Sequence, residues 1–335
     1  MRIELKYAGI ALVVVAVIAV VVALPLLGAG TQSGEEKVVA MMPFYVYSEW
    51  LGFYTAELNG YYAEEGLDVE FQYTDSGGFG PVKHVVAGTV DFSYIGSDSL
   101  LIARDQGNPI VAVYQAEHGD QFGLIYDKSK TSTPADLIGK KIAVPGPNSP
   151  PEISAKAILM ENGISPDEVE FVYLGNGVIP AMLTEEVDAV AGIIIHELIL
   201  EAEGVDIGVW YASDYGMGLG TTSVITSEKT LSERPELVRK FLRATKKGWA
   251  YAMDNPEEMT NRYIAELNPD GEGFKEIELG YWVRLTDEVY KPDEFGLGEF
   301  IPKRWQNTSD ILLKLELIEK QADLDGAYTT EFLPN

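Results

Sequence analysis

The chain has 335 residues, of which 52 are acidic and 25 basic, giving a net charge of −27, and it contains no cysteine. So acidic a surface argues against nucleic acid as a partner, because phosphates need a basic face, and the missing thiols exclude disulfides, thiol nucleophiles and cysteine-ligated metals. With 46% apolar residues, this length has room for one large domain or two lobes.

Arg2 and Lys6 precede an apolar run over 8–27, about the length that spans a bilayer. Small residues Gly28, Ala29 and Gly30 and a polar stretch follow. The pattern reads as a cleaved signal peptide or an uncleaved anchor, and its length favours the anchor. Either way the remainder is placed outside the cytoplasmic membrane.

Residues 31–36 form a polar linker, and 37–42 the first strand. The stretch 44–73 then organises the rest. Leu51, Tyr54, Leu58 and Tyr61 recur at helical spacing. Gly66 stands where a helix ends in the left-handed conformation. Leu67, Val69, Phe71 and Tyr73 alternate with polar residues, which predicts a strand. An aromatic cluster, Phe44, Tyr45, Tyr47, Trp50, Phe53 and Tyr54, falls at the strand-to-helix turn, where open α/β sheets bind ligands.

A glycine-rich loop over 75–80 leads into a short helix, and no Walker lysine pattern follows it, so a nucleoside-triphosphate site is rejected. Strands are predicted over 90–95, 110–114 and 122–126, with a helix over 99–106 that Ser97 or Asp98 can cap. A second βα unit starts near Pro134, with strands over 140–144, 169–174, 189–195 and 207–211. The prolines after Ser149 suit a helix start. A strand over 222–226 precedes a helical C-terminal third, with long helices starting near Pro235 and Pro256 and others over 272–289 and 303–318.

Two runs of alternating strands and helices argue for α/β layers in two lobes connected twice. Lobe 1 takes 37–126 and 220–335, and lobe 2 takes 127–219. A small-molecule site belongs in the cleft between them.

The sequence also carries a resemblance. Gly52, Ala56, Gly60 and Tyr61 followed by Glu64-Glu65-Gly66-Leu67-Asp68-Val69 resemble the opening of the solute-binding proteins related to the thiamine-pyrimidine synthesis family. In order along the chain come Val85, Gly88, Asp91 and Phe92; Leu101, Ala103, Arg104, Gly107, Pro109 and Val111; and Asp136, Leu137, Gly139 and Val144. They continue with Pro180, Ala181, Leu183, Asp188 and Gly192, then Asp214-Tyr215-Gly216, then Pro235, Phe241, Gly248 and Tyr251. The resemblance implies an extracytoplasmic component of an ABC importer, with the two-lobed type II periplasmic-binding-protein fold closing on its solute by hinge motion. It implies permease and ATPase partners; a monomer is expected because cleft closure needs free lobes, and no cofactor is expected.

Within that family, relatives take thiamine pyrimidine precursors, flavin-like rings, sulfonates or nitrate. The loops expected to line the cleft hold no lysine or arginine, many aromatics, and the acids Glu49, Asp98, Glu117, Glu197 and Asp214. That favours a flat, neutral or weakly basic ring stacked between aromatics and fixed by a carboxylate. The candidate ligand-binding residues are Tyr45, Tyr47, Trp50, Asp98, Asn148, Asn176, Glu197 and Tyr215.

Each has a plainer rival. Trp50 and the tyrosines can be core, Glu197 and Asp98 can cap helices, and His84 and His118 read as surface residues. The pyrimidine-binding relatives carry an aromatic-plus-glutamate pair where His196-Glu197 stands, and a glutamate where Gly96 stands, so the pocket is altered here. The eukaryotic enzyme relatives use their own histidine, a pyridoxal cofactor and a cysteine-rich motif. With Trp50 at the histidine's place and no cysteine, an enzyme is the weaker reading. A membrane-tethered sensor is the third.

Overall fold

The computed structural model describes residues 35–43, 47–74, 79–219, 222–291 and 294–334. The apolar run 8–27 and Tyr45 lie outside the described residues. Among those described, no helix is long and apolar enough to cross a membrane.

Two five-stranded sheets carry the fold. The first is built from β1 (Glu36–Pro43), β2 (Leu67–Thr74), β3 (Phe92–Gly96) and β4 (Ile110–Gln115). The second is built from β5 (Phe122–Asp127), β6 (Lys141–Val144), β7 (Glu170–Tyr173), β8 (Ala189–Ile193) and β9 (Ile207–Tyr211). The chain then returns to the first sheet as β10 (Thr222–Ser227). In β2, Leu67 and Val69 are buried and Asp68 and Glu70 exposed, so the alternation in the sequence is the alternation of faces. Gly60 and Gly66 both adopt φ 72°, breaking the helical stretch into Leu51–Leu58 and a turn Tyr61–Glu64 before β2 begins.

The sheets share one plan. Their strand orders are β2-β1-β3-β10-β4 and β7-β6-β8-β5-β9. In each, a single antiparallel strand is inserted beside the third parallel one: β10 pairs with β3 and β4, and β5 pairs with β8 and β9. Each inserted strand arrives from the other half. This moves one expected boundary. The sequence pattern places 122–126 in lobe 1, but β5 pairs only within the second sheet, so the crossover is the segment 116–121. The sequence pattern of β5 is that of any buried strand, and nothing local in it says which sheet it joins.

This topology brings the carboxyl ends of β1, β3, β4, β6, β8 and β9 and the amino ends of β5 and β10 to the two facing edges, where both crossovers run. The rest is scaffold. The 20-residue helix Pro235–Asp254 lies against Leu51–Leu58, and the approach is so close that a side chain on Gly248 would collide with the Gly52 carbonyl and come within 2.7 Å of Ala56 Cβ. Gly52, Ala56 and Gly248 of the familial motifs are thus a helix-crossing device. Residues 35–335 belong to one compact unit.

Candidate functional site

The crossover 116–121 is clamped by the C-terminal helices. His118 and Gly119 donate their N–H groups to the Val289 carbonyl at 2.7 Å. His118, expected at the surface, is buried, with its ring nitrogens 2.8 Å from the carbonyls of Tyr290 and Glu299 and its face stacked on Phe295. Asp120 pairs with Arg304, which also donates to the Leu219 carbonyl at the second crossover. His118 belongs to the buried crossover; its sequence context, a polar loop, gives no sign of the distant segment that covers it.

Against this clamp sits a buried polar cluster. Glu49, just after β1, is 4% exposed, and Glu117 is fully buried. The Gln121 amide donates to Glu117 at 2.9 Å and to Glu49 at 3.3 Å. One nitrogen between both acids puts the two carboxyls within about 6 Å, where each disfavours the other's ionisation. Glu49 also accepts from the Tyr47 hydroxyl, and the Tyr281 hydroxyl lies 3.2 Å away. Glu117 accepts from the Tyr94 hydroxyl at 3.1 Å and from the Thr222 N–H at 3.2 Å. Burial pushes the Glu49 carboxyl up to about 8, with the Glu117 charge adding to it and the donors opposing. Burial raises Glu117 as well.

Aromatic rings wall the cluster. Tyr47 and Tyr281 lie parallel within 4° at 6.2 Å between centroids, and Trp50 sets its edges against Tyr47 and Tyr94 at 5.1 and 5.2 Å. Trp50 is at once core and wall, so the two readings of it do not exclude each other.

A second group faces the other half directly. Asp98 is buried in the first turn of the helix Ser97–Asp105, and burial pushes its carboxyl up to about 6. It does not cap the helix from the N-cap position, which Gly96 occupies; its carboxylate accepts from the Ser99 N–H at 2.6 Å. A side chain on Gly96 would collide with the Asp98 carboxylate and lie 3.6 Å from Pro150, at the start of the helix Pro150–Glu161 of the other sheet. Glycine at 96 therefore leaves room for this pose of the Asp98 carboxylate. The hydroxyls of Ser97, on this side, and Ser149, before Pro150, are buried without a hydrogen-bond partner.

Glu197 joins the halves. It lies in the first turn of the helix Ile194–Ala202, but its carboxylate does not cap that turn. It accepts from the Tyr211 hydroxyl at 2.6 Å and pairs with Arg284 of the helix Lys275–Arg284 at 2.9 Å. Burial raises its pKa, with Tyr211 and Arg284 opposing. The neighbouring His196 is pushed down to about 4 by burial and accepts the Ile193 N–H through Nδ1. Arg284 comes from a helix, so an inventory of loops misses it.

The remaining candidates lie apart. Asn148 is exposed at the end of β6 with φ 56°, a left-handed conformation that asparagine tolerates, and its N–H donates to Glu152. Asn176 is exposed in the turn Gly175–Gly177 after β7. Tyr215 is paired with Asn162, at the far end of the helix Pro150–Glu161 from the cleft edge.

Two sheets of one strand order, exchanging a strand each and joined twice along their facing edges, define the two-lobed periplasmic-binding-protein architecture. A solved structure with this fold, the alkanesulfonate-binding protein SsuA from Xanthomonas axonopodis pv. citri bound to MOPS, superposes with a TM-score of 0.70 at 14% identity, covering 90% of this chain and 99% of that one. The chain belongs to the NMT1/THI5-like family, which matches residues 48–259. It is similar to the riboflavin-binding protein RibY of Chloroflexus aurantiacus, 26% identical over 313 residues, covering 89% of this chain and 86% of that protein. It is also similar to the formylaminopyrimidine-binding protein of Halalkalibacterium halodurans, 27% identical over 270 residues, covering 77% and 79%. Other relatives are named as 4-amino-5-hydroxymethyl-2-methylpyrimidine phosphate synthases.

Proposed function

We propose that this protein is the solute-binding component of an ABC importer, which captures a small nitrogen heterocycle between its two halves and delivers it to a membrane permease and its ATPase. The observation that carries the reading is the convergence on one edge of two buried acids, Glu49 and Glu117, and an aromatic wall of Tyr47, Trp50 and Tyr281. Carboxylates accept from ring N–H and amine groups, and tyrosine and tryptophan faces hold flat rings. A ring inserted between Tyr47 and Tyr281 needs about 7 Å between their planes, two carbon contacts of about 3.5 Å, so the rings part as it enters. Asp98 with the Ser97 and Ser149 hydroxyls offers polar partners from both sides, and Asn148 and Asn176 belong to the rim. Tyr215, held by Asn162, is left out of the set.

Riboflavin and formylaminopyrimidine, which two of the relatives are named for binding, are both flat nitrogen heterocycles, and a thiamine pyrimidine precursor leads. A sulfonate or nitrate suits the cleft less well, because Arg284 and Arg304, beside the crossings, are already paired with Glu197, Glu288 and Asp120. Binding is favoured over turnover because the assembled groups are acceptors and ring faces, with Trp50 at the enzyme histidine's place. The run 8–27 tethers the protein outside the cell membrane, where it acts as a monomer.

The test is a thermal-shift screen of the full-length protein in detergent, with formylaminopyrimidine, riboflavin, nucleobases, taurine and nitrate. A ligand bound only by the folded state raises Tm. A rise with a heterocycle, lost in Glu117→Gln, is the expected result; a rise with taurine or nitrate alone sinks the pocket chemistry.

A further inference from the structure

The binding role above leaves open the charge of the solute, and the inference here rests on that role. The groups facing the acid pair come from six segments. Tyr47 stands on Glu49's own segment, and Gln121 on the crossover. Tyr281 reaches in from the helix Lys275–Arg284, and Tyr290, from the turn after it, donates to the Glu49 carbonyl at 3.3 Å. Tyr94 of β3 and the Thr222 N–H of β10 reach Glu117. Each of these is neutral; the charge opposite each acid is the other acid. Two ionised carboxyls bridged by one amide in dry surroundings repel strongly, so the pair keeps one proton.

An independent feature of the same edge points to a ligand. Ser97 is fully buried and its hydroxyl has no partner. It follows Gly96, whose register partner is Thr222, the residue that donates to Glu117. A buried orphan hydroxyl costs free energy unless something bonds to it.

We propose that the solute binds as a cation, a protonated nitrogen heterocycle that sets a ring N–H and an exocyclic amine on Glu49 and Glu117, and that its entry expels the single proton held by the empty pair. The balance is one for one. The empty pair carries one negative charge; on binding, the carboxyl O–H gives its proton to solvent, and the positive ligand lies against two carboxylates. A neutral ring leaves the proton in place and binds without releasing it. An anion meets a negative site.

Three rings of one shape separate these cases: benzamidine as cation, benzamide as neutral amide and benzoate as anion. They are titrated calorimetrically into the full-length protein. Benzamidine is expected to bind more than about tenfold more tightly than either isostere, with its Kd falling about tenfold per unit between about pH 5.5 and about pH 7.5, the slope of one proton released. Because burial holds the Glu49 carboxyl near about 8, that whole range lies below it. Glu49→Gln and, separately, Glu117→Gln are expected to flatten the slope, with circular dichroism confirming that each is folded.

A Kd for benzamidine independent of pH, a slope that survives in Glu49→Gln, or equal affinity for benzamide overturns the inference. If riboflavin or formylaminopyrimidine binds while benzamidine does not, the charge assignment falls and the binding role stands. If no heterocycle binds, both fall.

Discussion

Replacing Glu49 by glutamine is expected to stabilise the protein at neutral and alkaline pH, the reverse of what most buried substitutions do. Burial and the Glu117 charge lift the Glu49 carboxyl from an ordinary 4.5 to about 8. The folded state therefore holds this proton more tightly than the unfolded chain. For a group raised in this way, stability is full below about pH 4.5, falls as pH climbs toward about 8, and is level beyond. Each pH unit in that window is worth about 1.4 kcal/mol, so the full penalty for ionised Glu49 is on the order of 5 kcal/mol. Glutamine keeps the size and the oxygen that accepts from Tyr47 and Tyr281, and it cannot ionise. At about 2 °C per kcal/mol for a chain of this size, Glu49→Gln gains on the order of 5–10 °C in Tm at pH 8 and nothing near pH 4.5. The assay is differential scanning calorimetry of both full-length proteins from about pH 4.5 to about pH 8.5 at fixed ionic strength. Since the net charge of −27 adds its own self-repulsion, the difference between the two profiles reads Glu49. A variant less stable than wild type at pH 8, or a difference that does not change with pH, would refute the argument.

Asp98→Asn follows the same sign on a smaller scale. The carboxyl is raised from 3.8 to about 6, so the gain is on the order of 3 kcal/mol above pH 6 and vanishes below pH 4, read by urea titration at the two pH values. Gly248→Ala acts on the scaffold alone. The added methyl meets the Gly52 carbonyl and Ala56, forcing the helix pair apart at a cost of about 1–3 kcal/mol with no pH dependence, which thermal melts at pH 5 and pH 8 check.

What the sequence discloses and what it hides divide along physical lines. Strand and helix patterns are local, so β1 to β10 are legible to within a few residues, and the order of motifs points to the family. The site's acids, Glu49 and Glu117, stand out in the loops as charges, but their pairing does not, because Gln121, Tyr281 and Thr222 reach them from three separate segments. Arg284 is the clearest case. The loops at the cleft hold no cation, yet a helix 87 residues beyond Glu197 delivers one to it. The pair ties the first half to the second, and its burial is unequal: the Glu197 side chain is 3% exposed and that of Arg284 26%. Arg284→Met therefore leaves a buried carboxylate paired only with the Tyr211 hydroxyl, at a cost of about 2–4 kcal/mol, whereas Glu197→Gln leaves a partly exposed guanidinium that keeps Glu288 and costs less. If the tie holds the halves closed, Arg284→Met also raises the radius of gyration in solution scattering without ligand. An unchanged radius together with equal losses from the two variants would mean that the bridge is an ordinary surface pair and does not hold the halves together.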